Sequence, residues 1–361
     1  MRHAGANPGR GGHRMALDAG RILYDCRDVL AQLFNIDDPN RIAYMLNATD
    51  AINTALLGYL HPGDHVVTTA MEHNALARPL RYLEQSGVEL TIVPADTTGQ
   101  VNIKAIEAAC RKQTTLIAVG HASNVTGTII ALEEVGAIAG GRGIRLLVDA
   151  AQTAGVEAIN VEAMGIDLLA FTGHKGLLGP QGTGGLWVRE GIELKPTRWG
   201  GTGSNSESDL MPELMPDKLE SGTPNTVGIA GLAAGVRFVL ETGVEAIGQH
   251  EHQLRKQLWD GLENVERVIL YGPDSGQRAT GVISFNVEGL DSGQVSYILD
   301  RQYNIATRAG LHCAPWAHRS IGSFKTGTVR ISLGYFNTTD DAEQVLVAIK
   351  SIASNSARLA K

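Results

Sequence analysis

Two stretches decide how this sequence is read: Leu146-Leu-Val-Asp149-Ala-Ala-Gln152 and Leu168-Leu-Ala-Phe-Thr172-Gly-His174-Lys175-Gly. Each is a short apolar run that stops abruptly in polar and small residues, as a strand buried on both faces does where it leaves a sheet. Outward from them the same kind of run recurs at 41–46, 65–69, 89–94, 115–120 and 184–188. Segments 50–60, 76–85, 103–110 and 132–139 between them repeat apolar residues at helical spacing. Such alternation predicts βαβ crossovers, and with them a seven-stranded, mainly parallel sheet covered by helices on both faces. Side chains just past the C-terminal strand ends of such a sheet share one cleft. Asp149, Thr172, His174 and Lys175 are expected to meet there.

Residues 198–225 are rich in Gly, Ser, Pro and Asp and lose this periodicity, which reads as a long functional loop. Helical patterns resume at 228–241 and 244–262, and strand patterns at 280–287 and 328–333. The expected organisation is a large α/β domain over residues 1–235 and a small C-terminal α+β domain over 236–361.

The 361 residues carry a net charge of -7, with 43% hydrophobic and 19% charged side chains. That is an ordinary globular composition. No block of Lys or Arg marks a nucleic-acid or anionic-membrane surface, and no apolar run reaches the roughly 20 residues of a membrane span. A cytoplasmic protein acting on small molecules or proteins is the expectation. The three cysteines, Cys26, Cys110 and Cys313, are far apart, which suggests neither a disulfide framework nor a zinc knuckle. His61-Pro-Gly-Asp-His65 has metal-like spacing but lies in a turn without a third ligand, and neither Gly182-Thr-Gly-Gly185 nor Gly200-Gly-Thr-Gly203 continues into a P-loop. No metal is expected. His250 and His252, in a charged helical stretch, read as solvent-facing.

A lysine after a strand is most often a solvated surface residue, and its amine becomes reactive only when burial or a nearby cation lowers its pKa. Asp149 alone reads more readily as a helix N-cap than as a functional acid. A carboxylate at that strand end can also hold the protonated ring nitrogen of pyridoxal phosphate. Asn47-Ala-Thr49-Asp50-Ala-Ile-Asn53, placed between a strand and a helix, suits either a phosphate or an ordinary cap. Cys26 and Cys110 sit among helix-periodic apolar residues as inert filler. Cys313, in Arg308-Ala-Gly-Leu-His312-Cys313-Ala-Pro315, has Gly, Arg and His around it, a setting that favours an exposed, nucleophilic sulfur.

Met71-Glu-His73-Asn, Ser123-Asn124-Val-Thr-Gly127, Asp149-Ala-Ala-Gln152, Thr172-Gly-His174-Lys175 and Gly222-Thr223-Pro224-Asn225 occur in this order across most of the chain. Their order and spacing resemble the cysteine desulfurases of the class V branch of the aspartate aminotransferase-type fold (fold type I). The resemblance implies a pyridoxal 5'-phosphate enzyme that converts L-cysteine to L-alanine. Lys175, Cys313 and His73 would be catalytic, with Lys175 holding the cofactor covalently and Cys313 receiving sulfur as a persulfide. Asp149 would bind the ring nitrogen, Gln152 the ring hydroxyl, and His73 would stack on the ring. Thr49, Thr172 and His174 would hold the phosphate, joined by Thr223 from the other subunit of a homodimer. Asn124 would lie beside the ring and the substrate carboxylate. Arg330, in Thr328-Val-Arg330-Ile-Ser, resembles the arginine that clamps that carboxylate with its bidentate guanidinium.

The short gap from Cys313 to Arg330 is similar to that of the SufS-type group, which implies that an acceptor protein comes to the cleft to collect sulfur. Family members usually carry a strand like Tyr-Leu-Asp-Asn-Ala-Ala-Thr-Thr ahead of the segment matched by Met1 to His13. That strand does not occur in this chain, which reads either as a misassigned or truncated start or as a variant lacking part of its cleft wall, with substrate closure and full activity weakened while the cofactor site is kept. The rival readings are a selenocysteine lyase and a catalytically impaired, cofactor-bound partner or scaffold protein.

Overall fold

The computed structural model of the chain describes residues 5–8 and 11–359; parts of the stretch Met1 to His13 read above lie outside the described residues. The first element is helix α1 (Arg14–Phe34), followed by β1 (Ile42–Met45), α2 (Ala48–Tyr59), β2 (His65–Thr69), α3 (Asn74–Gln85) and β3 (Glu89–Val93). Then come α4 (Ile103–Ala109), β4 (Thr114–Gly120), α5 (Leu132–Arg142), β5 (Arg145–Asp149), β6 (Leu168–Thr172) and β7 (Gly184–Val188). The strands form one seven-stranded sheet in the order β1-β7-β6-β5-β4-β2-β3. Only β7 runs against its neighbours, pairing antiparallel with both β6 and β1, so the sheet is mainly parallel, as the alternation of runs predicts.

Period-two alternation sends neighbouring residues of each strand to opposite faces. Leu169 and Phe171 of β6 join α1, α4 and α5 in one core cluster. Leu168 and Ala170 join α2 and α3 in the other. Phe34 closes α1 onto the sheet with its ring 5.3 Å from that of Phe171. Gly185 on β7 is required here, because a Cβ at that position would lie 2.4 Å from Cζ of Phe171. Cys26 and Cys110 are buried, as their apolar surroundings predict.

Residues 198–225 form neither helix nor strand. Beyond them lie α6 (Thr226–Thr242), α7 (Val244–Leu262), β8 (Val268–Tyr271), β9 (Val282–Val287), α8 (Ser292–Tyr303), β10 (Arg308–Gly310), α9 (Pro315–Ser320), β11 (Thr328–Ser332) and α10 (Thr339–Leu359). Helix α6 packs its Ile229, Leu232, Ala233 and Val236 into the large core with α1. The smaller C-terminal domain is a four-stranded antiparallel sheet, β10-β11-β9-β8, with α7, α8 and α10 packed on it. Helix α8 is set by a reciprocal capping box between Asp291 and Gln294. His250 departs from the solvent-facing expectation: its Nε2 lies 2.8 Å from the carbonyl of Asn337 and its ring packs edge-on against Tyr335.

Candidate active site

Parallel pairing aligns the C-terminal ends of β4, β5 and β6, with Gly120 opposite Asp149 and Asp149 opposite Ala170. The two deciding stretches are therefore adjacent in space. A cavity of about 590 Å³ opens at these strand ends, and Thr49, His73, Asn124, Asp149, Gln152, Thr172, His174 and Lys175 all line it. A second cavity of about 450 Å³ adjoins it and shares His73, Asn124, Gln152 and Lys175, adding Arg330 from β11. Ten of the eleven residues singled out by sequence thus border one continuous cleft or, for Cys313, its rim. Thr223 is the exception: it is exposed and lines none of these cavities.

Asp149 is buried at the strand end and accepts the N–H of Ala151 at 2.9 Å. This is a local Asx turn rather than the helix N-cap a lone acid there suggests, since no helix follows. Burial raises its carboxyl above the ordinary value, opposed by the Ala151 bond and by Lys175. Lys175 is open to solvent at the cleft mouth yet hemmed in by protein. That enclosure, with Arg330 and Arg308 nearby, lowers its amine below the usual lysine range, while Asp149 pulls the other way.

Asn47 caps α2 by accepting the Asp50 N–H at 3.0 Å, so the ordinary cap is present and Thr49 stays exposed on the first turn. The Thr172 hydroxyl lies 2.9 Å from Nδ1 of His174. His73 is the N-cap of α3, its Nδ1 accepting the Ala75 N–H at 3.0 Å. Burial first, then Lys175, Arg308, Arg330 and Arg78, push its ring down to about 4. The ring is neutral at physiological pH, with its proton on Nε2.

Cys313 is exposed, and Nη2 of Arg308 lies 3.1 Å from its sulfur. It borders a shallow opening with Thr49, His73, Asn74, Arg78 and Tyr82, so the sulfur sits at the outer side of His73. His312 and Cys313 both have left-handed backbones, with φ 49° and φ 60°. Each such residue costs about 1–2 kcal/mol unless its surroundings hold it. The Cys313 carbonyl accepts the Asn74 N–H at 2.7 Å, which ties this turn of the small domain to the start of α3.

Two site residues escaped the sequence reading. Arg308 lines both cavities and contacts the sulfur; its signal was present, since it opens the motif that contains Cys313. Glu72, beside His73, is a buried cavity wall residue that accepts the Thr69 hydroxyl at 2.6 Å and the Gly120 N–H at 2.8 Å. Its burial is a tertiary fact with no local signature.

The fit to pyridoxal phosphate can be judged from the donors present. A buried acid and a hemmed-in lysine stand at the ends of adjacent strands, and Thr49 on the first turn of α2, Thr172 and His174 line the same cavity as polar groups suited to a phosphate. Asn124 Oδ1 and Arg330 Nε, both buried, have no hydrogen-bond partner among the described residues. Both residues line the second cavity, and a guanidinium donor with a neighbouring amide acceptor fits the cofactor and an amino-acid substrate.

The aminotransferase class-V family model matches residues 1–345. A probable cysteine desulfurase of Methanothermobacter thermautotrophicus is 35% identical over 354 residues, covering 96% of this chain and 88% of its own length. Among solved structures, the apo cysteine desulfurase of Thermococcus onnurineus superimposes with a TM-score of 0.91 at 34% identity, covering 98% of this chain and 88% of that one. The cysteine desulfurase CsdA of Escherichia coli, in an S-sulfonic acid form, does so with a TM-score of 0.86 at 26% identity, over 97% and 87%. The chain belongs to the class-V aminotransferase family, alongside proteins named as cysteine desulfurases.

Proposed function

We propose that the chain is a pyridoxal-phosphate-dependent cysteine desulfurase that converts L-cysteine to L-alanine and passes the sulfur through Cys313. The observation that carries this reading is the exposed sulfur of Cys313, held beside Arg308 at the rim of the cleft that contains Lys175 and Asp149. An aminotransferase has no use for a thiol there. Pyridoxal phosphate, when bound, supplies the electron sink that lets bonds at the substrate's Cα and Cβ break.

The chain's own groups divide the remaining work. Lys175 would hold the cofactor and is the base available for the proton at the substrate Cα; Asp149 would keep the ring nitrogen protonated. His73 would offer a neutral ring beside it and Gln152 a partner for the ring hydroxyl, and Thr49, Thr172 and His174 would hold the phosphate. Arg330 clamps the substrate carboxylate, with Asn124 beside it. The Cys313 thiolate attacks the substrate sulfur as the C–S bond breaks. The S–S bond forms on Cys313, the electron pair of the C–S bond passes to carbon, and protonation leaves alanine.

Thr223 is exposed and lines neither cavity of its own cleft, and Trp199, Leu210 and Leu214 of the same loop are 73%, 79% and 80% exposed. An apolar surface of this kind supports a homodimer in which Thr223 reaches the partner's phosphate site. The two units of each subunit are a large one that runs through α6, whose Val236 packs into its core so that the division expected at 235 falls inside that helix, and a small one beyond it that brings Cys313 and Arg330. A sulfur-acceptor protein collects the persulfide at the Cys313 opening. Among the described residues no single helix is long and apolar enough to cross a membrane, and we place the protein in the cytoplasm. Incubating purified protein with L-cysteine and quantifying alanine and sulfide tests the reading; no alanine above a Lys175→Ala control overturns it.

A further inference from the structure

His312 precedes the sulfur-bearing residue, is 2% exposed, and lines none of the cavities described above. It cannot touch substrate. Its hydrogen bonds nevertheless lead back to the cleft. Its Nε2 lies 2.9 Å from the Thr328 hydroxyl, that hydroxyl lies 3.3 Å from Ser284 Oγ, and Ser284 Oγ lies 2.6 Å from the Val125 carbonyl.

The order of donors follows from the end of the chain. A carbonyl only accepts, so Ser284 gives its proton to Val125, and Thr328 gives its own to Ser284. The Thr328 hydroxyl then offers His312 only lone pairs, and Nε2 must carry the ring proton. Nδ1, the other nitrogen, finds no partner among the described residues. The circuit closes through Asn124, the neighbour of Val125. Its Nδ2 donates to the His312 carbonyl at 2.7 Å, and its own carbonyl accepts Nη1 of Arg330 at 3.0 Å.

We infer that His312 is a positioning residue: by donating from Nε2 into the Thr328–Ser284–Val125 chain, it holds the left-handed Cys313 turn in register with Asn124 and Arg330. The sulfur is thereby set against the substrate that those two residues fix. This meaning for the reaction rests on the desulfurase reading, whereas the hold on the turn does not. Two successive left-handed residues require such a hold. Misplacement of a reacting group by about 1 Å is enough to lower a rate about a hundredfold.

The test compares His312→Gln, His312→Asn and Thr328→Val in the holoenzyme. Glutamine places an N–H donor near the position of Nε2; asparagine reaches only as far as Nδ1. Valine keeps the shape of Thr328 and removes the acceptor, so it carries the test should the asparagine variant not fold. The readouts are kcat and KM for alanine release from cysteine, the cofactor's absorption spectrum, and hydrogen exchange at the Asn74 amide and across residues 308–316.

The expected result is near wild-type behaviour for His312→Gln. For the other two, kcat falls about a hundredfold, exchange at Asn74 and across the turn accelerates, and the spectrum is unchanged. Wild-type kcat and exchange in His312→Asn or Thr328→Val overturn the inference. Equal losses in His312→Gln and His312→Asn do so as well, since the Nε2 donor is then irrelevant. A wild-type protein that releases no alanine removes the desulfurase reading instead, and the exchange comparison still decides whether His312 holds the turn.

Discussion

Replacing Glu72 by Gln should stabilise the protein, and increasingly so as pH rises. Glu72 is 2% exposed, and its two hydrogen bonds, from Thr69 and Gly120, do not offset its removal from water. Burial, with Asp149 adding in the same direction, pushes the carboxyl up from 4.5 to about 8. Near neutral pH the folded chain keeps a proton that the unfolded chain has lost. The native state is therefore fully stable below the unfolded value and weakens as pH rises toward the folded one. At about 1.4 kcal/mol per unit the loss reaches about 5 kcal/mol and is complete above about pH 8. Glutamine fills the same space, accepts from Gly120 and donates to Thr69, and has no proton to lose. Urea unfolding of wild type and Glu72→Gln from about pH 5 to about pH 9 measures the difference. The account expects the gap in stability to widen by several kcal/mol in favour of the variant. Parallel curves would refute the reasoning, because Glu72 would then be ionised in the folded state.

Lys175→Ala should remove the borohydride-reducible link to pyridoxal phosphate, read by mass spectrometry of the reduced protein; a link that survives points to another lysine. Arg330→Lys keeps the charge and loses the bidentate fork. KM for cysteine should rise roughly ten- to hundredfold, with the cofactor spectrum unchanged; an unaltered KM would take the carboxylate away from Arg330. Sedimentation should show a dimer whose interface exceeds about 1,200 Å². In that dimer Thr223→Ala should lower cofactor affinity, whereas a monomer with full cofactor occupancy contradicts the role given to Thr223.

Much of the catalytic half of the fold was legible because the parallel sheet writes itself into the chain as apolar runs with sharp polar ends. The seven strands lie where those runs are, and Asp149 and Lys175 stand out as the polar residues at two such ends. Helix α1 shows only in the helical setting of Cys26, and α8 and α10 were not read. Their apolar stripes are diluted by charged residues, and the cores they complete, with α6 for α1 and the small sheet for the others, are assembled from distant sequence. Arg308 sits on a three-residue edge strand too short to leave a strand pattern, so only its place at the head of the Cys313 motif marks it. Glu72 looks like any surface acid until Gly120 of another strand comes to meet it. His250 has the charged neighbours of an exposed helix, and only tertiary packing on Tyr335 and Asn337 turns it inward.

The central claim is that Cys313 takes sulfur from cysteine within this cleft, and Cys313→Ser tests it most directly. The hydroxyl nearly matches the thiol in size, is not ionised near neutral pH and cannot carry a persulfide. Cys26 and Cys110 are buried and offer no substitute. Alanine release from L-cysteine by the purified variant, measured beside wild type with cofactor occupancy checked by absorbance, should collapse by orders of magnitude while the cofactor remains bound. Undiminished alanine and sulfide from Cys313→Ser would contradict the account.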